Sequence, residues 1–292
     1  MSTVLVTGAN GFVGSHAIPA LLDAGHRVLA LVRDDKGAEE VLARLAEPAR
    51  SSVEIRRGDV TKPNTLPAAL AGADAVLHLA AIARDWDNGA SLRLVNTEGT
   101  RNLVAAATGE GVTRFVHLGA LAVVDDPALH YASSKFRAMA IVRESGLRWT
   151  ILSPSLLFGP RDGFFNILAG LVRMSPGIVP ITGKGEARFQ PLAIEDLARV
   201  AIATLGDDAT IGREYPLGGP RTWTSCTAWA SAGCSSRCRW RSSGSWPACR
   251  KRYTCRSPSR PTSCASSSTT TWARWTPCVP ASASTLARWR AA

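Results

Sequence analysis

The sequence predicts an α/β protein built on a doubly wound parallel sheet, and three observations carry that expectation. Over the first 150 residues, short apolar strands alternate with helical segments at the spacing of βαβ units. Strands such as Arg27–Val32 (RVLALV) are apolar without strict alternation, as a sheet covered on both faces requires. The stretch Val4-Leu5-Val6-Thr7-Gly8-Ala9-Asn10-Gly11-Phe12-Val13-Gly14 runs from β-formers through a glycine turn into a helix.

Taken in chain order, the elements read as strand Thr3–Val6, helix Phe12–Ala24, strand Arg27–Val32, helix Glu39–Leu45 and strand Val53–Arg56. A short helix Thr65–Leu70 and strand Ala75–Leu79 follow, then helix Leu92–Thr108 and strand Arg114–Leu118. Helix Ser133–Glu144 and strand Trp149–Leu152 complete the alternation. Pro19 falls inside the first helix, where an interior proline costs roughly 3 kcal/mol and predicts a kink. Right-handed crossovers then bring the strand ends that carry ligands to one edge of the sheet.

The glycine turn is the first candidate site. A strand delivering glycines to a helix N-terminus presents backbone N–H groups to an anion, and the helix dipole adds to the attraction. Gly8, Asn10, Gly11, Phe12, Val13 and Gly14 are therefore candidate binders of a dinucleotide pyrophosphate. Arg33 lies nineteen residues beyond Gly14, just past the second strand. An acidic residue there would bond the ribose hydroxyls of NAD, whereas an arginine suits a 2′-phosphate and favours NADP(H) over NAD(H). Asp34 and Asp35 complicate that charge, Lys36 assists it, and a plain solvated loop arginine is the competing reading.

Composition bounds the rest. The 292 residues suffice for one large α/β domain plus a small cap, and no run of eighteen apolar residues suggests a membrane span. With a strand at the N-terminus no signal peptide is expected, so the expectation is a cytoplasmic protein without a membrane span. The net charge of +11 would ordinarily point to nucleic acid, but its location argues otherwise. Residues 221–292 contain eleven Arg, one Lys and no acid, which leaves −1 for residues 1–220. The same tail holds all seven Cys, seven of nine Trp and fifteen Ser, with no Ile and no Phe. It has no apolar periodicity and cannot bury a core.

A disordered basic tail, a cysteine module and a shifted reading frame compete to explain the tail. Disorder is poor in Trp and Cys, and the odd, unpaired Cys spacings with no His make no zinc or disulfide set. Reading residues 221–230 in the alternative frame allows Asp-Leu-Asp-Glu-Leu-His-Arg-Val-Gly, an amphipathic helix start with acids in its first turn. The frame shift is the favoured reading, and no nucleic-acid partner is expected. The expected organisation is a cofactor domain over 1–160, a partial substrate cap over 161–220 with the chain returning to the sheet, and an aberrant tail over 221–292.

The spacing Thr-Gly-x-x-Gly-x-x-Gly of Thr7–Gly14 resembles the short-chain dehydrogenase/reductase superfamily, in its extended and atypical branches. The resemblance continues through Gly58-Asp59-Val60, Leu79-Ala80-Ala81, the segment Val95–Leu103 containing Asn96, Tyr131-Ala132-Ser133-Ser134-Lys135, and Ser153-Pro154-Ser155. It covers essentially 1–220 and none of 221–292. The short gap between Ala120 and Tyr131, with Gly185–Pro191 and Ile194–Ala198, looks closest to the atypical branch of the NADPH-binding accessory subunit of respiratory complex I.

The resemblance implies a Rossmann-type domain binding NADP(H) through the turn glycines, Arg33, Asp59, Val60, Leu79, Ala80, Ala81, Lys135, Pro154 and Ser155, with no metal. It implies Tyr131 as acid/base and Lys135, one helical turn away, as the ammonium that lowers the tyrosine pKa. Asn96 would support the site structurally. One departure stands out: Gly119-Ala120 replaces the Ser or Thr that orients the substrate carbonyl, a loss worth ~10²–10³ in rate unless replaced. Ser133 and Ser134 are the nearest candidate substitutes, and His78 and His117 read as packed strand residues. Arginine is usual where Ser153 stands.

The expected function is an NAD(P)-dependent oxidoreductase acting on a carbonyl or alcohol of a small-molecule substrate, with homodimerisation left open. A non-catalytic NADPH-binding structural or redox-sensing protein is one alternative. A sugar-nucleotide epimerase or dehydratase is another.

Overall fold

The computed structural model describes residues 1–174, 188–220 and 222–224. Six strands follow in chain order: β1 Thr3–Thr7, β2 Arg27–Val32, β3 Val53–Arg57, β4 Ala75–His78, β5 Arg114–Leu118 and β6 Arg148–Pro154. The pairs β7 Leu157–Phe158 and β9 Leu192–Ala193 flank β8 Arg188–Phe189, and β10 Arg213–Leu217 rejoins the main sheet. The helices are α1 Gly14–Asp23, α2 Asp35–Leu42, α3 Leu66–Leu70, α4 Ala90–Leu92, α5 Gly99–Gly109, α6 His130–Arg143, α7 Phe165–Met174 and α8 Ile194–Gly206. A π-helical turn, Arg93–Glu98, links α4 to α5, so these run as one helical segment.

Seven strands pair in parallel in the order β10-β6-β5-β4-β1-β2-β3. The order reverses beside β1, and the carboxyl ends on either side of that point form the crevice where such sheets bind ligands. Both faces are covered. Val4, Val6, Ile18, Leu21, Leu197 and Leu205 form the core under α1 and α8. Leu5, Leu29, Leu66, Leu103, Phe115 and Met139 form the other under α3, α5 and α6. Adjacent residues of β1 thus feed opposite cores, which explains its unbroken apolar run. Each fully buried side chain of this kind stabilises the fold by about 1.5–3 kcal/mol.

The predicted strands and helices are present, with shifted boundaries that have local causes. α1 starts at Gly14, not Phe12, because Gly8–Val13 closes as a turn in which the Gly11 N–H donates to the Gly8 carbonyl at 3.0 Å. α2 starts four residues early because Asp34 caps it, accepting from the Gly37 N–H at 2.7 Å. The helix of Pro19 continues through it to Asp23. Strand β10, Arg-Glu-Tyr-Pro-Leu, is absent from the predicted elements: its polar residues and proline disguise it, and both are admissible because it lies at a sheet edge.

One buried charge anchors the lower end of β5. The Arg114 guanidinium donates to the Arg148 carbonyl (2.5 Å), Thr150 Oγ1 (2.6 Å), the Thr204 carbonyl (2.7 Å) and Thr210 Oγ1 (2.8 Å). It ties two strands to the end of α8, and burial lowers its pKa to about 10.

The described residues part into two units, one of them Met1–Phe164 with Phe189–Thr222. Everything in the next subsection belongs to that unit. The tail, apart from Thr222–Thr224, and the segment Gly185–Ala187 lie outside the described residues, and with them the frame-shift reading. Among the described residues no helix is long and apolar enough to cross a membrane, and no His, Cys, Asp or Glu cluster could hold a metal ion.

Candidate cofactor and catalytic site

The glycine turn is built for close approach. Gly8 has φ +66°, and a Cβ there would stand 2.9 Å from the Ala80 nitrogen. At Gly14 a Cβ would sit 2.4 Å from the Gly8 carbonyl oxygen and 2.6 Å from that of Ala9, so only glycine lets α1 begin against the turn. The N–H groups of Phe12 and Val13, at the head of α1, have no hydrogen-bond partner among the described residues. A tight turn with unspent donors at a helix N-terminus fits a pyrophosphate. Asn10 is held from below: its amide donates to Glu40 at 3.1 Å, and its carbonyl accepts from Arg44 at 2.6 Å.

At the end of β2, the two acids beside Arg33 are both committed. Asp34 caps α2, and Asp35 pairs with Arg57. Arg33 and Lys36 are exposed and have no ion-pair partner among the described residues, so their charge is available to an anion. Asp59 spends one carboxylate oxygen on the Thr61 N–H and hydroxyl, each at 2.9 Å. The Val60 side chain is buried beneath α5, with its carbonyl taken by the Asn102 amide at 2.9 Å. Leu79 and Ala80 follow β4 directly and touch the turn through Gly8, while Ala81 continues the same segment. Pro154 ends β6, and the Ser155 N–H donates to the Leu217 carbonyl at 2.7 Å.

Tyr131 and Lys135 stand one turn apart on α6. Lys135 is buried, its Nζ donates to the Leu118 carbonyl at 2.6 Å, and burial lowers its pKa to about 8. Tyr131 is 37% exposed, and its hydroxyl has no hydrogen-bond partner among the described residues. Its pKa is raised, by desolvation. The expected lowering by the ammonium is therefore absent from this geometry: desolvation alone shifts Tyr131 and disfavours the phenolate, while Lys135 gives one N–H to Leu118.

The nearby serines do not replace the missing hydroxyl. Ser133 Oγ donates to Asp125 at 2.5 Å, which also takes Arg137 at 3.0 Å. Ser134 Oγ donates to the Tyr131 carbonyl at 2.8 Å and accepts from the Asn96 amide at 3.0 Å. Asn96 is buried and also bonds both backbone polar groups of Ile82 at 2.9 Å, joining the segment after β4 to α6. Gly119 itself is hemmed in: a Cβ would meet Met139 Sδ and Ser153 Oγ at 2.9 Å. Ser153 donates to Glu214 at 2.9 Å. A cavity of about 250 Å³ opens beside α6, lined by Arg93, Thr97, His130, Ser133 and Arg137 among others, but by neither Tyr131 nor Lys135.

Residues 8–169, more than half of the chain, match the NAD(P)H-binding family. The chain belongs to that family. It is an NAD(P)-binding Rossmann domain of the NAD-dependent epimerase/dehydratase, or extended short-chain dehydrogenase, superfamily. This NAD(P)H-binding chain is 28% identical to the mitochondrial NADH dehydrogenase (ubiquinone) 1 alpha subcomplex subunit 9 of Arabidopsis thaliana, over 75% of the chain and 54% of that protein. It is 29% identical to the NAD(P)H azoreductase of Xenophilus azovorans, over 75% and 68%. The fold matches UDP-glucuronic acid 4-epimerase of Bacillus cereus, solved with UDP-glucuronic acid and NAD, with a TM-score of 0.66 at 22% identity, over 77% of this chain and 80% of that one. The chain spans about half the length of the first curated relatives it matches.

Three parts of the site escape a motif reading. Thr7 is a hydrogen-bond hub, not just the lead-in to the glycines. His78 and His117 are packed strand residues as expected, each 1% exposed, yet their rings lie against each other, tilted by 38° with centroids 5.1 Å apart. His78 is fully hydrogen-bonded, whereas both ring nitrogens of His117 lack a partner among the described residues. Their register, His78 opposite His117 in paired strands, follows from the sheet order and is invisible in either motif.

Proposed function

We propose that this chain is an NADP(H)-dependent oxidoreductase of the atypical short-chain type, acting in the cytoplasm on the carbonyl or alcohol of a small molecule. One observation carries the reading: a phosphate-fitting turn, the unpaired Arg33 and the Tyr131–Lys135 pair all follow carboxyl ends of strands in one parallel sheet. The turn residues Gly8–Gly14 would hold the pyrophosphate. Arg33, aided by Lys36, would take a 2′-phosphate as a charge-assisted fork, which supports NADP(H) over NAD(H). Leu79–Ala81, Asp59, Val60, Pro154 and Ser155 would line the remaining dinucleotide.

When bound, the cofactor supplies or accepts hydride. Tyr131 gives its phenolic proton to the carbonyl oxygen, and in the reverse direction the phenolate removes the alcohol proton. Lys135 holds a positive charge below it and offsets the phenolate left behind. One of the three Lys135 N–H bonds serves Leu118, which leaves two for the substrate side.

A second reading has its own support. Gly119, and the commitment of Ser133 and Ser134 elsewhere, leave no hydroxyl to orient a carbonyl, which favours a non-catalytic NADPH-binding protein. NADPH oxidation by the full-length chain against a panel of aldehydes and ketones separates the two. Turnover that falls at least a hundredfold in Tyr131→Phe supports the oxidoreductase. Tight NADPH binding without turnover, unchanged by Tyr131→Phe, supports the binding protein.

A further inference from the structure

We infer that Thr7, His78 and Thr100 form a positioning chain that sets the spacing of the two cofactor-facing segments, so that a residue buried in α5 controls dinucleotide affinity. The inference rests on the dinucleotide lying against Gly8–Gly14 and Leu79–Ala81, as proposed above.

Counting donors fixes the direction of every bond in the chain. The Thr100 hydroxyl has one proton and gives it to the Asn96 carbonyl at 2.6 Å. It must then accept from His78 Nε2, 3.0 Å away, so that nitrogen carries the imidazole proton. His78 Nδ1 is left as an acceptor and takes the Thr7 hydroxyl proton at 2.7 Å. With its proton spent, Thr7 Oγ1 accepts from the Leu79 and Ala80 N–H groups, each at 3.1 Å. Each step permits the next. In the other tautomer two donors would face each other at Thr7, and Thr100 would have to abandon Asn96.

The last link is where cofactor would feel the arrangement. Thr7 immediately precedes Gly8, and Leu79-Ala80 are the residues its hydroxyl holds. The two segments touch without slack, since even a Cβ at Gly8 would lie 2.9 Å from the Ala80 nitrogen. Packing does not define this separation alone, because glycine and alanine offer little side chain to wedge the loops apart. The β1–β4 ladder ends at the Thr7–His78 pair, and beyond it the shared hydroxyl ties the two segments. Thr100 is 1% exposed and cannot touch a ligand on these loops, so any effect of Thr100 on affinity must travel through its hydrogen-bond partners, the ring of His78 and the Asn96 carbonyl, and only His78 reaches Thr7.

The test is NADPH titration of the full-length chain, with hydrogen exchange at the Leu79 and Ala80 amides in the cofactor-free protein. Thr7→Ser keeps the hydroxyl and is expected to bind within about twofold of wild type. Thr7→Val and Thr100→Val each remove one buried hydrogen-bonding hydroxyl at constant shape and are expected to weaken NADPH binding about tenfold. In Thr7→Val the two amides exchange about tenfold faster, because each loses its acceptor. A Thr100→Val protein with a lowered melting temperature but wild-type NADPH affinity overturns the inference, since the network would then serve stability alone. If Thr100→Val does not fold, Thr7→Val against Thr7→Ser carries the same comparison, and equal affinities overturn it. A wild-type chain that binds neither NADPH nor NADH overturns the placement of the cofactor, and this inference with it.

Discussion

Restoring the missing hydroxyl by Gly119→Ser should damage this protein. Gly119 ends β5's approach to α6, and its Cα faces atoms that have already filled the space. A Cβ would lie 2.9 Å from Met139 Sδ, 2.9 Å from Ser153 Oγ and 3.1 Å from Ile151 Cγ2. Real Cβ contacts essentially never fall below 3.0 Å, so at least two neighbours must move. Met139 is 2% exposed and sits in the α6 core, so its sulfur has little room. Ser153 is tied to Glu214, which in turn pairs with Arg143 at 2.6 Å. Overpacking of this kind costs about 1–3 kcal/mol. In a compact unit of about 200 residues, that corresponds to a melting-temperature drop of about 2–12 °C. Thermal unfolding followed by circular dichroism on wild type and Gly119→Ser reads it directly. An unchanged or raised melting temperature would refute the packing argument, and a simultaneous gain in carbonyl turnover would show that the site accepts the hydroxyl it lacks.

Two other outcomes follow from buried charges. Replacing Arg114 by Met removes four hydrogen bonds at the junction of β5, β6 and α8, and is expected to destabilise the fold by about 3 kcal/mol, measured by urea unfolding. Lys135 gives opposite pH trends for stability and activity. Its folded pKa of about 8 lies below the unfolded value of 10.5, so between those pH values the unfolded chain binds the extra proton. Stability should therefore rise with pH from about 8 to 10.5, by up to about 3 kcal/mol, and Lys135→Met should flatten the rise. Catalysis that needs the ammonium should fall over the same alkaline limb, which rate and unfolding profiles on one sample can compare.

Much of the fold is legible because it is written in local signals. Apolar strands such as Val28–Val32 at βαβ spacing announce a covered parallel sheet, and the glycines at 8, 11 and 14 mark the one turn where backbone must approach backbone. β10 is illegible because an edge strand tolerates the proline and the charged Arg213 and Glu214 that a central strand disfavours. In the site, Tyr131, Lys135 and Arg33 are readable from spacing, but their electrostatics are not. That Asp34 and Asp35 leave Arg33 unopposed depends on a helix cap and on Arg57, twenty-four residues further along the chain. That Lys135 serves Leu118 instead of Tyr131 depends on how α6 docks on β5. The Thr7–His78–Thr100 chain joins three elements up to 93 residues apart, and no periodicity within one element reports it.

The most direct test of the account is parallel titration of the full-length chain with NADPH and NADH, in wild type and in Arg33→Ala. A charge-assisted contact to the 2′-phosphate predicts that wild type binds NADPH at least about tenfold more tightly than NADH, and that Arg33→Ala abolishes the difference by weakening NADPH alone. Equal affinities in wild type, or a preference that survives Arg33→Ala, would contradict it.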